Sequence, residues 1–491
     1  MTKLINHIII SFLFLAVACD YEVVPDETGT TNSGTITFNI SPGPYYENCT
    51  TIQFSNIVDD VVSLTWDFGD NNISTEQNAS HIYEKAGTYT VKLTVNTGEF
   101  EFFGSKNITI DPTNTFDELS TPEVEYYKDL IVEADGSYVL AGMLKSDIRE
   151  DLYFEKRDKN GSINLSRPYE TPDYHESAIA LFPSNDGGYI IISRAVELAR
   201  HPVWVVQVTK TFADGEIDRS FLMEEFSDYY ATAATKTSDG GLAIAGKKPN
   251  KTTQYDEIFC IKLNKDLGFE WRNSYEDENV RFALANSIIQ TKEGDLLIAG
   301  FYDGLYDPTY PHHYNCALKV NGANGDLLWK YGEPSYRESS SAFSSIIDQN
   351  GNYIIIGYSQ QFEREKETPN AILTKLRGSD GFKLDSKTIR NNGYINSIVE
   401  VPGNGFAVLG GIVEVDQTFA RDYLLVNNNS GLFITMLDYN LNQTGNNPLN
   451  ATYTNTIKTT DNCGFVIVGA KQNGNATNGC VIKTDAQGNI N

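Results

Sequence analysis

Cations are scarce in this chain: 38 lysines and arginines stand against 65 aspartates and glutamates, a formal charge of −27. Nucleic acid rewards basic surfaces through counterion release, so this balance argues against a nucleic-acid partner and against adsorption to anionic lipid. Histidine and cysteine are also few, at six each in 491 residues. Neither shows metal-ligand spacing, and there is no His-Glu-x-x-His, no Gly-x-Ser-x-Gly elbow and no phosphate loop. No metal, cofactor or catalytic residue is therefore expected. Cys463 and Cys480 would fall at opposite ends of one hairpin, where a bridge is strained, so no structural disulfide is expected either. No apolar run reaches the length of a membrane-crossing helix.

What the chain has instead is a phrase repeated seven times. It reads Asp135-Gly136-Ser137-Tyr138-Val139-Leu140-Ala141-Gly142 first and recurs after Asp186, Asp239, Glu293 and Asn350, then more loosely around Asn404 and Asn462. Measured at the first apolar residue after the turn, the spacings are 51, 53, 54, 57, 53 and 59. Two β-rich runs flank each Gly turn, which reads as a hairpin closed by a primed turn. A third run (Phe259 to Leu263, Ala317 to Val320), a second Gly turn and a short fourth run ending near Trp271 or Trp329 complete the unit. Two hairpins in series make one four-stranded blade, and seven blades make a β-propeller over residues 112–491.

A lysine recurs in the third run, as Lys156, Lys262, Lys319, Lys375 and Lys483, with Gln207 and Met436 at the same place in the other two repeats. It reads as a blade face with packed stems and solvated ammonium groups. The last repeat lacks a fourth run after Asp485, and the segment Asn114 to Leu119 is placed to supply one by pairing with the strand of Cys480 to Asp485.

Ahead of the propeller, residues 1–18 read as a signal peptide: Lys3, an apolar core from Ile8, and Leu15-Ala16-Val17-Ala18 before Cys19. Residues 19–33 are acidic and poor in apolar side chains, a flexible tether. Residues 34–111 alternate in strand fashion, as in Thr88 to Val95, and predict a small β-sandwich.

Three resemblances follow from these residues. Cys19 after a small residue resembles a bacterial lipobox, which implies lipidation of Cys19, a membrane anchor through it, and an outer-membrane, cell-surface location. Trp66-Asp67-Phe68-Gly69-Asp70, Ser80-His81-Ile82-Tyr83 and Ala86-Gly87-Thr88-Tyr89-Thr90-Val91 resemble the signature of the PKD (polycystic kidney disease) domain, an immunoglobulin-like fold. In that family Asp67, Asp70 and His81 would shape a turn rather than hold a metal. The repeats resemble bacterial surface propellers with a DGGyiiaG pattern, and Asp214 to Phe221 resembles the related delta-60 repeat. The expected fold is thus all-β, an immunoglobulin-like PKD sandwich followed by a seven-bladed β-propeller.

The expected function is a non-catalytic binding or scaffolding module for an extracellular glycan or protein partner. A glycan-capturing accessory protein of a polysaccharide-uptake system, and a hydrolase or lyase on the propeller loops, stay open as alternatives. Loops carry function on propellers, and the fourth blade's insert is rich in tyrosine. The candidate ligand residues are Tyr302, Tyr306, Tyr310, His312, His313 and Tyr314, with Tyr331 and Tyr336 beyond them.

Overall fold

A computed structural model describes residues 22–24 and 32–490, apart from 114, 122–123, 147–148, 198–202, 278–279, 305–312, 333–337, 362–368, 402, 413–430, 450, 452, 461–463 and 474–475. Cys19, Tyr306, Tyr310, His312 and Tyr336 lie outside the described residues. The chain forms two compact units, residues 1–113 and 114–491.

The first unit is a two-sheet β-sandwich. Its long hairpin, Gly87–Asn96 with Phe100–Ile110, alternates buried and exposed side chains because one face packs and the other is solvated. Trp66 sits fully buried between the sheets, edge-on to Phe38 at 5.0 Å, and its Nε1 donates to the Glu76 carbonyl at 3.0 Å. The Asp67–Asp70 segment is a turn. Asp67 Oδ1 accepts from the Gly69 amide, Asp70 Oδ1 accepts from the Asn72 amide, and Asn71 takes a left-handed φ of 75°. His81 Nε2 lies 2.7 Å from Asp70 Oδ2 and its ring stacks on Phe68 at 4.2 Å. These contacts spend the carboxylates on the turn and on the packed imidazole. Cys49 is disulfide-bonded, its partner outside the described residues, which corrects the expectation of no bridge. Spacing within the propeller repeats had left this cysteine without a mate.

The second unit is a seven-bladed β-propeller of four-stranded antiparallel sheets. In blade 1 the order from the axis outward is Val124–Val132, Tyr138–Lys145, Glu150–Arg157 and Ile163–Tyr169. Each blade buries both faces against its neighbours, so the second strands open on apolar runs buried on both faces, as in Tyr189 to Ile192 of Tyr189–Glu197. Blade 7 takes its outermost strand from the other end of the unit. Phe116–Thr121 pairs antiparallel with Ala476–Thr484, with Phe116 opposite Lys483 and Leu119 opposite Val481, as the sequence predicts. The inner strands pack side by side in cyclic order, the last (Tyr453–Thr459) against the first, which closes the ring.

Two local readings change. The Gly hairpins are not primed two-residue turns. Gly136 donates to the Glu133 carbonyl and Glu133 to the Ser137 carbonyl, and only Gly136 has a positive φ (80°): a type I turn followed by one left-handed residue. The recurrent lysines, too, do not hold their ammonium groups in water. Lys262 (2 % exposed) bonds Asp239 at 2.8 Å and Glu270 at 3.1 Å, Lys319 bonds Asp295 at 3.3 Å, and Lys375 bonds Asp348 at 2.7 Å. The acid comes from the blade's own Gly turn, so these three lysines staple their blades' first hairpins, whereas Lys156 bonds the Tyr189 hydroxyl and the Ala213 carbonyl of blade 2.

Blade 7 departs from that pattern. Lys483 is 3 % exposed, and Asn462 stands where blade 3 has Asp239. Burial, with the charge of Lys159 nearby, pushes its ammonium down to about 8. A lowered lysine pKa destabilises the folded state wherever the group is charged. The penalty is complete below pH 8 and fades as pH rises toward the unfolded value of about 10.4. Lys483→Met is therefore expected to stabilise the propeller at pH 7 by roughly 1–3 kcal/mol, and to lose that advantage near pH 10. Thermal unfolding of both proteins at pH 7 and pH 10 measures this.

Candidate functional site at the channel mouth

Every inner strand carries one β-bulge at the same height, between Tyr127 and Asp129, Ala178 and Ala180, Ala231 and Ala233, and so on around the ring. The extra residue is turned out of the pleat. Four of the seven bulge residues use this to stitch neighbouring blades together. Thr232 donates to the Ala285 carbonyl, Asn286 to Ala342 (2.8 Å), Asn396 to Thr454, and Asn455 to Tyr127 (2.8 Å). The last of these joins blade 7 to blade 1. Lys128, Ile179 and Phe343 occupy the other three bulges.

Above the bulges, toward the interblade loops, lies one layer in which the repeat is variable. It is the residue after the small residue that closes the second-strand phrase: Met143, Arg194, Lys247, Phe301, Tyr358, Gly411 and Ala470 in chain order. Blades 2 to 5 thus present Arg194, Lys247, Phe301 and Tyr358 at equivalent positions, all half-buried. Their inner-strand partners are Ser177, Tyr230, Leu284 and Ser341.

Rings and cations alternate along this layer. The Arg194 guanidinium lies 4.3 Å from the Tyr230 ring centroid and 5.8 Å from that of Trp204, and Trp204 meets Tyr230 edge-on at 4.9 Å. Lys247 lies 3.9 Å from the Phe282 centroid and pairs with Asp256 at 3.0 Å. Phe282 stacks on Phe301 at 5.7 Å. From blade 1, Tyr126 reaches across to hydrogen-bond Ser177 at 2.6 Å, and burial raises its phenol pKa against the opposing effect of Arg194. Lys128 is held below its ordinary value by burial and by the Arg194 charge, with Asp129 acting the other way. Half-exposed aromatic faces with interleaved cations can stack on a sugar ring and hold an anion at the same time.

The expected tyrosine cluster divides differently. Tyr302 is 2 % and Tyr314 6 % exposed, and the two rings meet at 5.8 Å within the core between blades 3 and 4. Tyr302 shares strand parity with Leu296 and Ile298 and points into the same packed face. His313 packs edge-on against Phe301 at 4.8 Å, and Tyr331 packs beside Trp329, Tyr353 and Leu376. Tyr169 and Tyr275 donate to turn carbonyls of the next blade, Gly215 and Gly325. Sequence reasoning passed over Lys128, Arg194, Trp204, Lys247 and Phe282. The one signal was Arg194, a cation directly after the apolar run Ile190-Ile191-Ile192-Ser193.

Comparison with known proteins covers both units. Residues 46–101 match the PKD domain family. The N-terminal sandwich is a PKD domain. Collagenase ColA of Clostridium perfringens is 30 % identical over 111 residues, 22 % of this chain and 10 % of that protein. Collagenase ColA of Bacillus cereus is 57 % identical over 35 residues, 7 % of this chain and 4 % of that protein. The chain thus spans a tenth or less of the curated relatives it matches. Among solved structures, polysaccharide lyase Uly1 superposes on 76 % of this chain and 99 % of its own, with a TM-score of 0.50 and 8 % identity, a likeness of fold.

Proposed function

We propose that this protein is exported and anchored at the bacterial cell surface through lipidated Cys19. On that reading the PKD domain serves as a spacer and the propeller captures an extracellular glycan without catalysis. The observation that carries glycan capture is the layer of two cations and two rings, Arg194, Lys247, Phe301 and Tyr358, with Trp204 and Phe282 beside it, half-exposed on the loop face of blades 2 to 5. The DGGyiiaG phrase, shared in pattern with bacterial surface propellers, supports display outside the cell.

The test is binding of residues 20–491 to a panel of extracellular polysaccharides. Trp204→Ala and Phe301→Ala are each expected to weaken binding about 3- to 10-fold, the range of one aromatic contact. Binding of an outer-membrane protein, with no polysaccharide bound, would contradict the reading. For the anchor, metabolic acyl label should be lost with membrane retention in Cys19→Ala. A peptide map placing Cys19 in a disulfide would exclude it.

A further inference from the structure

Among the described residues, Lys128 and Arg194 have no carboxylate partner, although acids outnumber cations 65 to 38 in the chain. Three of the recurrent blade lysines are neutralised: Lys262, Lys319 and Lys375 each meet a turn acid. Here two cations come from adjoining strands instead: Lys128 follows Tyr126 by two residues, and Tyr126 hydrogen-bonds Ser177, the cross-strand partner of Arg194. The acid next to Lys128 in the chain is Asp129, and that carboxylate is occupied. Its Oδ2 accepts from the Leu181 amide at 3.0 Å and its Oδ1 from the Leu130 amide at 2.9 Å.

Neither cation is explained by the architecture. Lys128 holds a bulge position where Thr232, Asn286, Asn396 and Asn455 make the interblade hydrogen bond. The Arg194 guanidinium sits over the Tyr230 ring, 4.3 Å from its centroid, and its Nε is buried with no hydrogen-bond partner among the described residues. A cation–π contact fixes a guanidinium without using its N–H donors, and the half-buried side chain keeps its terminal N–H groups for an oxyanion. Two adjacent cations repel in a half-buried site, a cost that a bound anion removes.

Resting on the glycan-capture reading, we propose that the propeller selects acidic polysaccharide, with Lys128 and Arg194 holding the carboxylate or sulfate of one sugar at the channel mouth. The −27 charge works against loose adsorption of any polyanion, so capture depends on this local pair. The aromatic layer beside it supplies the sugar contacts, and the cations supply the choice between acidic and neutral chains.

The experiment is equilibrium binding of residues 20–491 to polygalacturonate, dextran sulfate and neutral dextran, at low and at 0.5 M salt (about a 4 Å screening length). Expected are tight binding of at least one acidic chain, weakening with salt, and about a tenfold loss in Arg194→Gln and in Lys128→Met. The Lys128→Met protein should melt no lower than the parent, because removing one of two like charges relieves repulsion. Lys330→Gln, remote from the mouth and paired with Asp277, should bind as the parent does. The stronger of the two acidic arms identifies carboxylate or sulfate as the recognised group. If neutral dextran binds as well as the acidic chains and the two variants bind unchanged, the charge inference falls and glycan capture stands. If none of the three binds, both fall.

Discussion

Replacing Arg157 with Met is expected to destabilise the propeller by about 3–5 kcal/mol, the cost of leaving a buried charge without its partner. Glu155 is 0 % and Arg157 2 % exposed, in the third strand of blade 1. Arg157 Nε pairs with Glu155 Oε1, while Nη1 donates to the Gly161 carbonyl at 3.1 Å and Nη2 to Thr121 Oγ1 at 2.7 Å. With Arg157 gone, Glu155 keeps one bond in the structure, from the Tyr153 hydroxyl at 3.1 Å. Carboxylate burial with one neutral donor is poorly compensated. Urea unfolding should show a lower midpoint at unchanged slope. Adding Glu155→Gln should recover most of the loss, since the uncompensated charge and not the missing contact dominates it. A midpoint within error of the parent would mean that solvent reaches Glu155.

The second large effect concerns the same seam. Removing residues 116–121 takes away the outermost strand of blade 7, and with it Phe116 against Tyr138 (6.4 Å) and Leu119 against the Gly161 turn. Full burial of such side chains is worth about 1.5–3 kcal/mol each, these two partly buried ones contribute less, and the ladder bonds add about 0.5–1.5 each. Against the ordering entropy of six residues, a net loss of about 5 kcal/mol is expected, or roughly a 10 °C fall in melting temperature. The exposed edge of Ala476–Thr484 should then promote self-association. Calorimetry together with light scattering reads both. An unchanged melting temperature would show that the ring does not depend on this strand.

The turns between third and fourth strands impose a further constraint of the same kind. Gly325 and Gly381, at φ of 76° and 72°, lie beneath Trp271 and Trp329 of the preceding blades, where an added Cβ would sit 2.6 Å from the indole. The short fourth run ending in Trp thus belongs with the Gly of the next repeat, a pairing that spans about one period. It explains why Trp and Gly recur together.

Much of the architecture was legible in the sequence because it rests on local chemistry. A left-handed Gly closes each hairpin, and strand patterning marks what it joins. Even the closing strand could be placed, since seven repeats left one edge unpaired. The site was harder for physical reasons. A bulge has no residue signature: nothing in Ala285-Asn286-Ser287 announces that Asn286 is the extra residue. The mouth layer is visible only when Arg194, Lys247, Phe301 and Tyr358 are stacked as equivalents from four blades. Counting tyrosines favoured the fourth-blade insert instead, of which Tyr302 and Tyr314, at its ends, are buried. The lysine series was half legible. Its spacing was clear, but its turn acids sit at different offsets (Asp239, Asp295, Asp348), so the ion pairs emerge only in three dimensions.

The central claim is that the loop-face mouth of blades 1 to 5 is where this protein binds its ligand. Hydrogen exchange of residues 20–491, with and without the tightest-binding polysaccharide, tests it most directly. The account predicts slowed exchange in the strands carrying Tyr126, Arg194, Trp204, Lys247 and Phe301, with the PKD domain unchanged. Protection confined to the PKD domain or to the outer strands would contradict it.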